Sequence, residues 1–119
     1  MTTVAPDDFS ELVGEDLSGV TFVGDYLQLQ FNPPPLLNAY TPVTVRSGAH
    51  TATFGEAAFA NLLIAQIGKV VNAVDLRPEA SLEIRFEDGS TIAISLRSEH
   101  YVGPEAIVLF LKNQGMVVV

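Results

Sequence analysis

The sequence predicts an α+β fold in a single domain spanning residues 1–119. It should hold an antiparallel sheet of about six to seven strands, with one main buried helix over about residues 54–67 packed on its curved face. Three observations lead there. Gly68 to Leu96 alternates apolar and polar residues at period two through three consecutive segments, as half-buried strands do. Val20 to Phe31 repeats that alternation on a shorter scale. Between them, a Thr53-Phe54-Gly55-Glu56 capping box and Gly68 bracket a run with apolar residues at helical spacing.

Composition narrows the function classes. With 48% hydrophobic and 17% charged residues, the 119-residue chain can bury a core without disulfide or metal staples. It contains no cysteine, which excludes disulfides, thiolate metal sites and cysteine nucleophiles. MTTVAPDDFSEL lacks the basic and apolar regions of a signal peptide, and no run reaches the ~18 apolar residues of a membrane span, so a cytoplasmic protein is expected. The net charge of −8 is concentrated early: Asp7, Asp8, Glu11, Glu15, Asp16 and Asp25 all precede the first base, Arg46. Such a field repels phosphate backbones and anionic membranes, so neither nucleic acid nor membrane is an expected partner; plain acidic solubility is the simpler reading of it, and an acidic face for a basic protein partner the sharper one.

Taken in order, Asp8 and Glu11 form a D-x-x-E arrangement, with Phe9, Leu12 and Val13 on one face and Gly14 as the stop, which predicts a short helix. A two-residue Gly24-Asp25 loop of type II′ places Val23 opposite Tyr26, Phe22 opposite Leu27 and Val20 opposite Leu29. Asn32-Pro33-Pro34-Pro35 ends that hairpin as a stiff corner with polyproline II geometry. Leu36 to Val45 reads as one extended segment, with Pro42 marking a sheet edge or a bulge, and Ser47 to His50 as a loop. In the helix, Phe59, Leu62, Leu63 and Ile67 form the core stripe. Ala57, Ala58, Ala60, Ile64 and Ala65 leave so little polar surface that cover on more than one side is expected.

The turn after Phe86 is fixed by the face pattern. A two-residue Asp88-Gly89 loop would pair Arg85 with Ile92 and mix polar and apolar faces. A three-residue Glu87-Asp88-Gly89 loop with left-handed Gly89 instead sets Phe86 opposite Ser90, Ile84 opposite Ile92 and Leu82 opposite Ile94. Glu83, Arg85, Ala93 and Ser95 then share the other face. Ala106 to Leu111 has no polar residue and reads as a buried or interface strand, and the Met116 to Val119 tail should be covered by the protomer or a partner. Val13 to Phe31 can also be laid over Ile67 to Phe86 with one gap at the first hairpin loop, matching Gly14 with Gly68, Val20 with Val74, Leu27 with Leu82 and Phe31 with Phe86. Hairpins share such grammar in general, so a duplicated α-β-β-β unit and simple hairpin likeness both stay open.

No catalytic or cofactor motif is present. His50 and His100 lack H-x-x-x-H spacing, and there is no G-x-S-x-G, G-x-G-x-x-G or P-loop pattern, so no metal, cofactor or catalytic residue is assigned. Arg97, Glu99, His100, Tyr101 and Glu105 gather where the chain leaves the sheet. They are the candidate ligand-binding set, the plainer reading being solvated loop residues. Ile107, Leu109, Leu111 and Val117 are the candidate subunit interface.

The motifs G-x-x-V-x-x-V from Gly68, L-x-I-x-F-x-D-G-S-x-I-x-I from Leu82, and Tyr101-x-Gly103-Pro104-Glu105-Ala106 resemble a diffuse group of small bacterial proteins of unknown function. Some of these travel in mobile gene cassettes or stand beside toxin genes as immunity proteins. That resemblance, with the surplus apolarity, leads to the expectation of a non-enzymatic interaction module that forms a homodimer. The alternative is a small-ligand binding protein or enzyme with a pocket between helix and curved sheet.

Overall fold

In the computed structural model, residues 6–119 are described, with side chains from residue 9 onward, so the predicted Asp8 cap lies outside the described side chains. A 3-10 helix over Pro6–Leu12 leads into strands β1 (Gly19–Val23), β2 (Tyr26–Gln30), β3 (Leu36–Ala39), β4 (Val43–Ser47) and β5 (His50–Thr53). Helix α1 (Phe59–Ile64) is followed by β6 (Val71–Arg77), β7 (Ser81–Phe86), β8 (Thr91–Ser95), a 3-10 turn at Ser98–His100, β9 (Ile107–Phe110) and β10 (Met116–Val118). The mostly antiparallel architecture with one short helix agrees with the predicted α+β class. The strand number does not: two five-stranded sheets, ordered β1-β2-β3-β9-β10 and β5-β4-β8-β7-β6, replace the predicted sheet of about six to seven strands.

Both sheets contribute to one core, in which Leu29, Phe31, Leu37 and Leu109 of the first meet Val45, Ile84, Phe86 and Ile92 of the second. Full burial of each such side chain contributes about 1.5–3 kcal/mol. The predicted hairpin registers hold. Val20 lies opposite Leu29 and Phe22 opposite Leu27, and of the two loop residues only Gly24 has a positive φ, 56°, as a type II′ turn requires. Leu82 faces Ile94 and Ile84 faces Ile92. The Phe86 amide donates to Ser90 O at 2.9 Å across the three-residue loop, and Gly89 has φ 89°.

The two sheets are related by a local two-fold axis, visible in the backbone pairing. At the isolated Asp16–Val70 bridge, the residues laid over one another in the repeat pair directly. The Gly14 amide donates to Val71 O (2.9 Å) and the Gly68 amide to Leu17 O (2.7 Å). The Leu17 amide donates to Lys69 O (3.0 Å) and the Val71 amide to Glu15 O (2.8 Å). Each of these pairs is the other rotated. Farther out, Phe31 N–H to Pro35 O (3.1 Å) matches the bond from Phe86 to Ser90, and Tyr40 N–H to Ala106 O (2.8 Å) matches Ser95 N–H to Pro42 O (3.0 Å). The matched strand orders are β1-β2-β3-β9-β10 and β6-β7-β8-β4-β5. Each half therefore builds three strands of its own sheet and sends its last hairpin into the other.

That exchange divides one predicted segment between the two sheets. Leu36 to Val45 is not one extended segment, because the chain changes sheets at Thr41-Pro42. There Thr41 Oγ1 donates to Ser95 O at 2.5 Å, and Pro42, which has no N–H, contributes only its carbonyl. The segment predicted as a loop at Ser47 to His50 is the tip of the β4–β5 hairpin, with Ser47 opposite His50. The corner at Asn32 to Pro35 contains two cis bonds, Pro33-Pro34 and Pro34-Pro35, instead of trans polyproline II geometry.

The helix is shorter than expected. Thr53 ends β5, and its hydroxyl faces Thr44 Oγ1 at 3.0 Å, leaving only the Glu56 half of the capping box, Thr53 N–H to Glu56 Oε1 at 2.5 Å. Gly55 at φ 100° is incompatible with helix continuation, so α1 begins at Phe59. Nor is the helix covered all round: Phe59 and Leu63 are buried, but Ile64 is 50% and Ile67 40% exposed. Gln66 is the buried member of the last turn, donating from Nε2 to Leu62 O (2.9 Å) and accepting from Lys69 Nζ (2.8 Å).

Candidate functional site

Of the predicted polar set, all but His100 fall in two clefts, one beside the β6–β7 turn and one beside the β1–β2 turn. Leu96, Arg97, Ser98, Glu99 and Tyr101, with Glu79 from the β6–β7 turn, line an open cleft of about 500 Å³. Arg97 Nε and Glu99 Oε1 pair at 3.2 Å, both largely in solvent, where such a pair is worth at most about 1 kcal/mol. His100 is exposed outside that lining, with Nδ1 2.6 Å from Ser95 Oγ. Tyr101 is half-buried, and burial pushes its phenol above the ordinary tyrosine range. Glu105 belongs to the second cleft, about 130 Å³, with Asp25, Tyr26, Tyr40, Val102 and Gly103. Neither cleft lies between helix and sheet, where the sequence placed the alternative pocket. His50 sits apart on β5, and no metal-binding group of His, Asp and Glu occurs among the described residues.

The predicted interface residues point inward. Ile107 and Leu109 are fully buried, and Leu111 and Val117 are packed against the core. The opposite parity faces out: Phe110 is 39%, Met116 59% and Val118 43% exposed. Across the first sheet, one outer row runs Gly19, Gln30, Leu36, Phe110 and Met116, and the next runs Thr21, Gln28, Asn38, Val108 and Val118, of which Asn38 and Val108 are buried under their neighbours. A third row pairs Val23 with Tyr26. None of these positions is charged.

The matched face of the second sheet differs. Its rows are Ala73, Arg85, Thr91, Arg46 and Thr51, then Asp75, Glu83, Ala93, Thr44 and Thr53, then Arg77, Ser81 and Ser95. Arg77 pairs with Asp75 at 2.9 Å and Arg85 with Glu83 at 3.5 Å. Closely matching backbone pairing thus carries a charged, solvated face on one side and an uncharged one with exposed Phe and Met on the other. Sequence reading missed this, although the signal was available once registers were set: Gln28 and Gln30 stand where Glu83 and Arg85 stand in the other half, and Thr21 and Val23 where Asp75 and Arg77 stand.

No family model, curated protein or solved structure matches this chain. Among the described residues no helix is long and apolar enough to cross a membrane.

Proposed function

We propose that this chain is a non-catalytic protein-interaction module that self-associates, two copies meeting through the outer face of β1-β2-β3-β9-β10. The observation that carries the reading is the absence of charge across the rows of that face, against five charged positions on its symmetry mate. Pairing two copies doubles a net charge of −8, so self-repulsion selects the one sheet face that brings no acids together. Exposed Phe110 of β9 and Met116 and Val118 of the edge strand β10 supply apolar area that would otherwise stay in water. The matched registers also support reading the chain as two copies of one helix-and-strand unit, of whose two sheets only one carries an uncharged outer face.

Any different partner of this module is expected to be basic, since acids outnumber bases 14 to 6. An immunity-type role against a basic toxin fits that balance and the resemblance of the second half, and gene neighbourhood is the direct check on it. For self-association, Phe110→Arg installs the residue found at the matched position, Arg46. In an isologous interface it buries two unpaired guanidiniums, a cost of about 3–5 kcal/mol, so the variant is expected to elute as a folded monomer where the wild type is a dimer by light scattering. A wild type that is already monomeric at the same concentration removes the proposal.

A further inference from the structure

We infer that the cleft formed by Asp25, Tyr26, Tyr40, Val102, Gly103 and Glu105 binds an organic cation, an ammonium or guanidinium head. The inference does not rest on self-association. At about 130 Å³ the cleft suits a single headgroup, being well below the roughly 300 Å³ at which pockets for whole small molecules begin. The rings of Tyr26 and Tyr40 pack against each other, 4.8 Å apart between centroids and tilted by 37°, so that only an outer face of the pair is left to attract positive charge.

The carboxylates of Asp25 and Glu105 flank those rings without an ion-pair or hydrogen-bond partner among the described residues. Glu15, Asp75, Glu83, Asp88 and Glu99 are each paired with a base. Tyr40 is held from behind by Asn38, whose Nδ2 lies 3.2 Å from its hydroxyl. Asn38 is only 7% exposed and lies outside the cleft lining, so it positions the tyrosine and does not itself meet a ligand. Val102, 88% exposed, keeps an apolar side chain in water at the rim. The fold does not demand these aromatics, because Ser81 and Ser95 stand at the matched positions in the other half. Unneutralised carboxylates exclude an anion, and aromatic faces beside them select a soft organic cation over a neutral ligand.

The chain has three tyrosines and no tryptophan, so its intrinsic fluorescence reports mainly on this cleft. The test is to titrate the full chain with tetramethylammonium chloride, with N-acetyl-lysine amide and with N-acetyl-arginine amide, each against sodium chloride at equal ionic strength. A saturable change is expected with at least one cation. Its dissociation constant should rise at least about tenfold in the near-isosteric Asp25→Asn/Glu105→Gln double variant and in Tyr26→Ser, and be no higher in Phe110→Arg. Saturation by tetramethylammonium alone identifies a free quaternary ammonium, and saturation by the amino-acid amides identifies a basic side chain of a protein partner. Either supports the inference. A response no different from sodium chloride with all three, or equal affinity in the folded double variant, overturns it. Because Tyr26 stands on the face proposed for self-association and Phe110→Arg is monomeric under that reading, saturable binding in this variant, with the cleft uncovered, tests this inference apart from the proposed function.

Discussion

Asp88 shows how single residues hold the central hairpin. Its carboxylate meets Lys69 Nζ at 2.7 Å and accepts from the Ser90 amide (3.0 Å) and hydroxyl (2.5 Å), and the Lys69 and Ser90 hydrogen bonds hold it well below the usual carboxylate range. A carboxyl whose folded value lies below its unfolded one stabilises at neutral pH and loses that contribution as pH falls through the folded value. Urea midpoints of wild type and Asp88→Asn should therefore differ at pH 7, and the difference should start to shrink as pH falls below about 4, the unfolded carboxylate value, and go on shrinking toward the depressed folded value. Parallel midpoints across that range would contradict the assignment. At the next residue, Gly89→Ala meets no neighbouring atom but places a Cβ at φ 89°. It should cost about 1 kcal/mol in urea unfolding with an unchanged slope. Both residues were legible in the sequence, because only one loop length keeps Leu82, Ile84, Ile92 and Ile94 on one face.

At the scale of elements, legibility followed periodicity. Strands with strict alternation, β2, β7 and β8, were placed with their registers. Runs lacking alternation were not: Ala106 to Leu111 and Met116 to Val119 are apolar on both faces, so parity could not be assigned and the interface residues were drawn from the inward set. The helix was overextended because Thr53 and Glu56 satisfy a capping pattern that β5 and the positive φ of Gly55 override. The candidate site was half legible. The 97–105 loop was found, whereas Tyr26 and Tyr40, fourteen residues apart, meet only through the pairing of β2 with β3. Adjacent helix residues test the corrected helix face. Leu63→Ala, fully buried, should cost about 2–5 kcal/mol, and Ile64→Ala, half exposed, under about 1 kcal/mol, by chemical denaturation. Equal losses would return the helix to the interior.

The whole molecule is two matched halves that exchange hairpins, so neither half holds a complete sheet. Fragments separated at the exposed Gly55-Glu56 junction should each lack cooperative unfolding alone and regain it, with native circular dichroism, when mixed. Symmetry also isolates function, since positions that match in backbone but differ in chemistry are not explained by folding. By that criterion the uncharged face is the strongest departure in the chain. Apolar association is insensitive to screening and strengthens with excluded salts, whereas association between charged faces weakens as ionic strength rises. Sedimentation equilibrium from about 0.1 M to about 1 M sodium chloride therefore tests the central claim most directly. The predicted result is twice the 12.8 kDa chain mass at both ends of the range, and 12.8 kDa throughout, or dissociation as salt rises, would contradict it.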